Sequence, residues 1–427
     1  MIDLKRLRQD PDGSRASLLR RGDPALGPLV DGLLDLDRQR RELLVQVERL
    51  KAERNAASEE VARRKRAGQG TDELMGRLKS SGEEVKALDA QLREIDTALE
   101  QCALTLPNFP SDLIPDGDAA ANRVVRAWGE PYRFDFQPRP HWELATNLGI
   151  LDLPAGAKLA GSGFPLFRGA GARLVRALAG FMLDLHTREH GYVEVATPYL
   201  VNRTTLTGTG QLPKFEEDLY SATADDLFLI PTAEVPVTNI HRDEILEAHD
   251  LPLGYVAYTP CFRREAGAHG KDTRGLIRVH QFDKVELVRF SRPEESSAQH
   301  ELLTGHAEAV LQRLEIPYRV VELAAGDTGF SSARTYDLEV WAAGVGTWLE
   351  ASSSSTFTDF QARRANIRYR AEPKAKPEFV HTLNASGVAF PRTIIALLEN
   401  NQAADGSVRV PEALVPYLGV ERLAPRG

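Results

Sequence analysis

Between residues 29 and 103 the chain has few folds open to it. Apolar side chains return at Leu74, Leu78, Val85, Leu88, Leu92, Ile95, Leu99 and Cys102, with Ser81 filling one place. Steps that alternate four and three put these residues on one seam of a helix, the heptad grammar of a coiled coil. Upstream the pattern repeats less cleanly through Leu33, Leu36, Leu43, Val47, Leu50, Ala57 and Val61, with Arg40 and Arg54 in two seam places. Gly68 and Gly70 separate the halves. Thr71 is the expected N-cap of the second helix, with Asp72 and Glu73 in its first turn. Two helices of similar length and one short connection predict an antiparallel hairpin. About 30 to 35 residues at 1.5 Å each give an arm of roughly 50 Å.

The stretch "LTLPNFPSDLIPDG", Leu104 to Gly117, reads as a linker out of the arm. The expected division is an N-terminal domain over 1–103 with the arm at about 29–103, a linker over 104–119, and a second domain over 120–427. A chain of 427 residues also exceeds what one compact core usually uses. The second domain mixes periods. "GARLVRALAGFMLDLHTREHG" is helical, "YVEVATPYLV" is a strand broken by Pro198, and "PRTIIALLENNQ" is a last helix. "GYVAYTPCFRREAG", "RVHQFDKVELVRF", "PYRVVELAAGDTG", "ARTYDLEVWAAG" and "TWLEASSSSTF" alternate as strands. Strands in a run with helices outside them indicate an α+β domain on an antiparallel sheet.

Composition excludes several classes. No apolar run is long enough for a bilayer, and "MIDLKRLRQDPDG" lacks the apolar core of a signal peptide. Cys102 and Cys261 are the only cysteines and lie far apart, which argues against a disulfide framework or a cysteine zinc site. A reducing, cytoplasmic setting is expected. The net charge of −8 argues against coating nucleic acid but leaves room for a local basic patch.

Such a patch lies in "CFRREAGAHGKDTRGLIRVHQFDKVEL", Cys261 to Leu287. Alternation from Phe262 predicts Arg263 and Glu265 on one face and Arg264 on the other. A polar loop with His269, Lys271, Asp272 and Arg274 follows. On the return strand Val279, Gln281, Asp283 and Val285 share one face, and His280, Phe282, Lys284 and Glu286 the other. One reading is a solvated hairpin with surface ion pairs worth about 0 to 1 kcal/mol each. The other is an arginine clamp for a polyphosphate.

"FRREAG…GKDTRGLIRVHQFDKVE" resembles motif 2 of the class II aminoacyl-tRNA synthetases, in the form found in the seryl-tRNA synthetase family. Other segments resemble that family in the same order. "PTAEVPV" is similar to its Thr-x-Glu loop and "HGYVEVATPYLV" to motif 1, used at the family's dimer interface. "LEASSSSTFTDFQARRANIRYR" is similar to the Glu-x-Ser-Ser segment and "TLNASGVAFPRTIIALLENNQ" to motif 3. The helical hairpin resembles the family's tRNA-binding arm, so the resemblance spans essentially the whole chain.

This resemblance implies a homodimer that joins L-serine to ATP, releasing pyrophosphate, and passes serine to the terminal adenosine of tRNA(Ser), and also of tRNA(Sec). Arg263 matches the α-phosphate arginine, Glu265 the contact to the adenine amino group, and Arg392 the γ-phosphate partner. Glu350 and Ser353 match ligands for Mg²⁺, a donor set that suits a hard cation. Arg264, Val279, Ala351 and Ser352 are implied to border the nucleotide. Thr232, Ala233 and Glu234 match the serine ammonium end. Glu286 and Ser386 match the partners of the serine hydroxyl, and Asn384 the wall beside them. Taken alone, Glu286 reads as a rim carboxylate paired with Lys284 or Arg263. The cations near the arm's distal turn, among them Arg54, Arg63, Arg64, Lys65 and Arg66, are implied to meet the tRNA backbone, by phosphate and shape rather than by base edges. Taken alone, they read as a solvated helix face.

The sequence departs from the family's pattern at Ala351, Ser354, Ala385 and Arg264, and Pro391 precedes Arg392. Proline is tolerated in a helix's first turn, where its missing N–H would be unpaired anyway. The alternatives are a non-catalytic paralogue that binds RNA or protein, a relative that loads carrier proteins, and a coiled-coil protein with an unrelated α+β domain. The first should have lost some matched polar residues, the second lacks a long arm and uses zinc, and the third leaves the ordered motifs unexplained.

Overall fold

The computed structural model describes residues 1–266 and 274–425. The loop residues His269, Lys271 and Asp272 lie outside them. The chain forms two compact units, one of residues 2–19 and 23–107, the other of Met1, 20–22 and the chain from Asn108 onwards.

In the first unit two short helices, Leu4–Gln9 and Pro11–Leu19, precede the long helices α1 (Leu26–Arg66) and α2 (Asp72–Thr105). These pack along the expected seam, with Leu33, Val47, Leu50 and Val85 buried. Arg40, a polar intruder in the seam, reaches across to Asp96 at 2.5 Å, and Lys51 reaches Asp89 at 3.2 Å. These pairs fix the two helices antiparallel. The helices have 41 and 34 residues, so α1 is longer than the heptads suggested, about 60 Å at 1.5 Å per residue. Gly68 ends it with φ +66°, a conformation glycine adopts without strain. Thr71 occupies the N-cap place, but its ψ of 4° is not the extended geometry a cap needs, and no side-chain cap bond forms. Its hydroxyl turns to the Met75 sulfur instead, at 3.8 Å.

The second unit is built on an eight-stranded sheet: β1 (Arg123–Trp128), β2 (Val193–Glu194), β3 (Leu253–Phe262), β4 (Gln281–Ser291), β5 (Tyr318–Glu322), β6 (Arg334–Ala342), β7 (Thr347–Thr358) and β8 (His381–Ala389). Their spatial order is β1-β5-β6-β7-β8-β4-β3-β2. Every neighbouring pair is antiparallel except β2 with β3. Three helices, α3 (Ala170–Arg188), α4 (Ser296–Arg313) and α5 (Phe390–Asn400), close one face. Their apolar stripes meet Val285, Leu287, Leu338, Val340, Leu383 and Ala385 in one core. The other face carries polar residues of the site beside a second apolar core that includes Ala257, Val288 and Phe290.

As expected, "YVEVATPYLV" divides at Pro198, into β2 and a strand, Leu200–Asn202, of a separate three-stranded sheet. Two expectations change. The helix α5 is not the last element, since a short helix at Val415–Leu418 and a two-stranded pair follow it. The segment read as a linker is pinned: the Asn108 amide donates to the carbonyls of Ser331 at 3.0 Å and Phe357 at 2.7 Å. No described helix is long and apolar enough to cross a membrane.

Candidate active site

Two slips of register shape the polar face of the sheet. On β7, Glu350 pairs with Glu339 and Ser352 with Leu338, so Ala351 is an extra residue. Cross-strand partners share a face. Ser353 pairs with Asp337, which lies two residues from Glu339 and so on its face. Without the bulge Glu350 and Ser353, three residues apart, would point to opposite sides. The second slip lies between Ser386 and Ala389 on β8. Before it, Asn384 and Ser386 face the site, and Ser386 stands opposite Glu286 of β4. After it the chain enters α5, with Pro391 in the first turn as expected.

These devices open a cavity of about 510 Å³, lined at one end by Thr232, Glu234 and Ser386 and at the other by Glu265, Arg278 and Arg392. Arg263 also lines it, over the Phe282 ring at 5.2 Å, with its Nε donating to the Pro231 carbonyl at 3.3 Å. The predicted strand does not carry Arg263. The ladder stops at Phe262 and resumes at Gln281, and Glu265 has φ +52°. The turn still sends Arg263 and Glu265 into the cavity and Arg264 away, over the Tyr220 ring at 6.0 Å.

At the acidic end Glu286 is only 1 % exposed. It is a floor, not a rim. Its carboxylate contacts the Lys284 ammonium and accepts from the Asn384 amide at 3.1 Å. Lys284 also donates to the Thr232 hydroxyl at 2.9 Å. The Glu234 carboxylate accepts from the Gln361 amide at 2.6 Å, and Gln361 in turn accepts from Thr382 at 2.7 Å. Burial, reinforced by the nearby Glu286 charge, pushes the Glu234 carboxyl up to about 7. Ala233 is fully buried in the core beneath this end rather than lining the cavity.

At the other end Arg392 donates to the Glu350 carbonyl at 2.6 Å, and its guanidinium lies 3.3 Å from the Glu350 carboxylate. Glu265 is ion-paired with Arg278. Val279, Ala351, Ser352 and Ser353 also line the cavity. The Ser352 hydroxyl is already committed to the Ser386 carbonyl at 2.6 Å. Asp337, under Ser353, is raised well above the usual carboxylate range by burial and by the Glu350 charge. Among the described residues no group of three or more His, Cys, Asp or Glu could by itself hold a metal.

Residue-by-residue reading passed over Gln361, Arg278 and Asp337 and gave Lys284 only a pairing role. A glutamine inside "TDFQARR" carries no signal of burial, and Asp337 matters only through its cross-strand partner. In the arm unit, Arg63, Arg64, Lys65 and Arg66 end α1 and are exposed, with Arg63 and Arg64 both paired to Glu60. Arg54 lies three turns earlier on the same helix.

The family description "Seryl-tRNA synthetase N-terminal domain" matches residues 1–110, and "tRNA synthetase class II core domain (G, H, P, S and T)" matches residues 214–401. The serine–tRNA ligase of Gemmatimonas aurantiaca is 56 % identical over 425 residues, 99 % of this chain and 100 % of the relative. The chain belongs to the seryl-tRNA synthetase family. The serine–tRNA ligase of Pelobacter propionicus is 55 % identical over the same shares. Among solved structures, the seryl-tRNA synthetase of Pyrococcus horikoshii, complexed with ATP, superposes with a TM-score of 0.96 at 38 % identity, covering 100 % of both chains. The cytoplasmic enzyme of Naegleria fowleri, in complex with AMP, gives 0.90 at 28 %, covering 100 % of this chain and 99 % of that one. The activity is that of an aminoacyl-tRNA ligase for serine, and the α+β fold is that of the family's class II core with its helical arm.

Proposed function

We propose that the cavity holds ATP and L-serine end to end and forms seryl-adenylate. One observation carries this reading: a single cavity joins a buried acidic end, Glu234 with Glu286 beneath it, to an end that carries two arginines. The acidic end suits an ammonium and a hydroxyl. The basic end suits a triphosphate.

The serine carboxylate attacks the α-phosphorus, an O–P bond forms, and the bond to pyrophosphate breaks with the electron pair leaving on it. No general base is required, because the nucleophile is already ionised. Arg263, between the two ends, is suited to the α-phosphate and the carboxylate together. Arg392 is suited to the far phosphate. Both charges are in place before negative charge gathers, and catalysis is positioning and charge neutralisation. Glu286 and Ser386 take the serine hydroxyl, beside Asn384. An alanine would leave these groups unpaired, a penalty of roughly 10⁴-fold. Glu265 and Val279 border the base.

Mg²⁺ fits the donors at hand. Glu350 and Ser353 present a carboxylate and a hydroxyl on one face, and a buried Asp337 oxygen behind Ser353 has no hydrogen-bond partner. Glu350 and Ser353 would hold the ion, as oxygen donors that suit a hard cation. When bound it supplies charge neutralisation across the phosphates.

In the second step the 3′-hydroxyl of the terminal adenosine of tRNA(Ser) attacks the seryl carbonyl and AMP leaves. The arm's Arg54, Arg63, Arg64, Lys65 and Arg66 bind the tRNA backbone. Recognition that avoids the anticodon extends to tRNA(Sec). The working state is a cytoplasmic homodimer, supported by exposed apolar residues Val193, Tyr199 and Leu200 in the segment that resembles motif 1, and by two free thiols.

The test is serine-dependent ATP–pyrophosphate exchange against threonine, alanine and glycine. Exchange with serine alone is expected, and loss of that exchange in Arg263→Ala without loss of the dimer. Exchange with none of the four would refute activation here, and normal exchange in Arg263→Ala would refute that residue's role.

A further inference from the structure

His141 lies outside every motif named above, yet it touches the wall of the nucleotide end. It is fully buried, as is its partner Glu399 near the end of α5. Glu399 accepts at one oxygen from the His141 backbone N–H and from its Nδ1, both at 2.8 Å. At the other oxygen it accepts from the N–H groups of Gly344 at 2.8 Å and Val345 at 3.0 Å. The far ring nitrogen, Nε2, accepts the backbone N–H of Leu276 at 3.0 Å. These partners leave one tautomer: the proton is on Nδ1, donated to the carboxylate, and Nε2 is bare.

Leu276 opens the segment 276–279, all of which lines the cavity. Two groups of the nucleotide end depend on that segment. The Ile277 carbonyl accepts from Arg392 Nε at 3.4 Å, and Arg278 holds Glu265. The residue next to His141 grips the other side of the same turn, with the Arg274 guanidinium over the Trp142 ring at 4.9 Å. Between the two grips, Gly275 has φ +62°, and a Cβ there would come within 2.2 Å of His141 Nε2. The ring is seated directly against the turn's backbone.

We propose that His141, fixed as its Nδ1–H tautomer by Glu399, is a positioning residue for ATP: it anchors segment 276–279 and through it the seats of Arg392 and Glu265. The proposal rests on the reading of this end of the cavity as the ATP site. It assigns no part to the serine end, whose groups stand on other segments.

The experiment is serine-dependent pyrophosphate exchange in the full-length protein, with KM measured separately for ATP and serine. His141→Phe keeps the volume and removes the acceptor, leaving the Leu276 N–H buried and unpaired. It should raise KM for ATP by about tenfold or more, with KM for serine within about twofold of the parent. His141→Gln offers an acceptor oxygen near the Nε2 position and should recover most of the loss. Glu399→Gln keeps the shape but turns a donor amide toward the carboxylate's partners, which favours the other tautomer; it should raise KM for ATP as His141→Phe does, and serves if the latter fails to fold. An equal rise in both KM values, an unchanged KM for ATP in both variants, or a Gln variant no better than Phe would overturn the proposal. Absence of exchange in the parent protein would instead overturn the underlying ATP reading.

Discussion

Lys284 and Glu286 form a buried ion pair along one strand, two residues apart on the site face of β4. Removing one member strands the other in a dry environment, which costs about 3 to 5 kcal/mol when nothing replaces it. Glu286→Gln is therefore expected to lower unfolding stability by about 3 kcal/mol and to weaken serine activation far more than ATP binding. Urea unfolding alongside exchange kinetics reads both. A stable variant with normal KM for serine would contradict the placing of the serine hydroxyl at this pair.

Glu234 supplies a pH dependence. Its folded carboxyl holds its proton up to about pH 7, whereas the unfolded chain releases it near the ordinary glutamate value. Between these limits the native state binds more protons, so the contribution to stability is complete at low pH and is lost as pH rises toward 7 and through it. A gap of this size is about 3 kcal/mol. Glu234→Gln should flatten the stability profile between about pH 5 and 7.5 and gain stability at pH 8. An unchanged profile would contradict the burial argument.

The same carboxyl links proton and substrate. A serine ammonium beside Glu234 favours its ionised form, so binding near pH 6.5 should release a proton and affinity should rise with pH through about 7. Calorimetry in buffers of different ionisation enthalpy measures the release. Proton uptake, or none, would place the ammonium elsewhere.

Ser353→Ala should raise the Mg²⁺ concentration for half-maximal exchange by roughly 10-fold while leaving the melting temperature near the parent's. An unchanged requirement would remove Ser353 from the ion's ligands.

Deleting about 35 to 98 should spare pyrophosphate exchange and cripple transfer to tRNA. The arm belongs to the compact unit of residues 2–19 and 23–107 and not to the unit that holds the sheet, so its loss leaves the sheet's core intact. Undiminished charging of tRNA would contradict the arm's role.

The sequence made the arm and the antiparallel sheet legible because both rest on periodicity. The heptad steps located the seam, including Arg40, whose partner Asp96 only the hairpin supplies. Motif order brought Arg263, Glu265, Glu350 and Arg392 to one cavity. Reading failed where one residue changes the count or where the partner is remote. Strand alternation carried past Phe262, where the ladder ends, and local pattern could not foretell Gln361 beneath Glu234 or His141 against Leu276. Those contacts join segments more than 100 residues apart, and nothing in either segment names the other.

The bulge at Ala351 makes parity a functional variable. On a plain strand an odd interval means opposite sides; here Glu350 and Ser353 share a side only because one residue is not counted by the partner strand. Inserting one residue beside Ala351, with the bulge kept, would leave every side chain with chemistry in the sequence and turn Glu350 to the packed back of the sheet. Along β7 the site is set by arithmetic as much as by residue type. A length change of one is the more damaging edit there, even though it alters no matched residue.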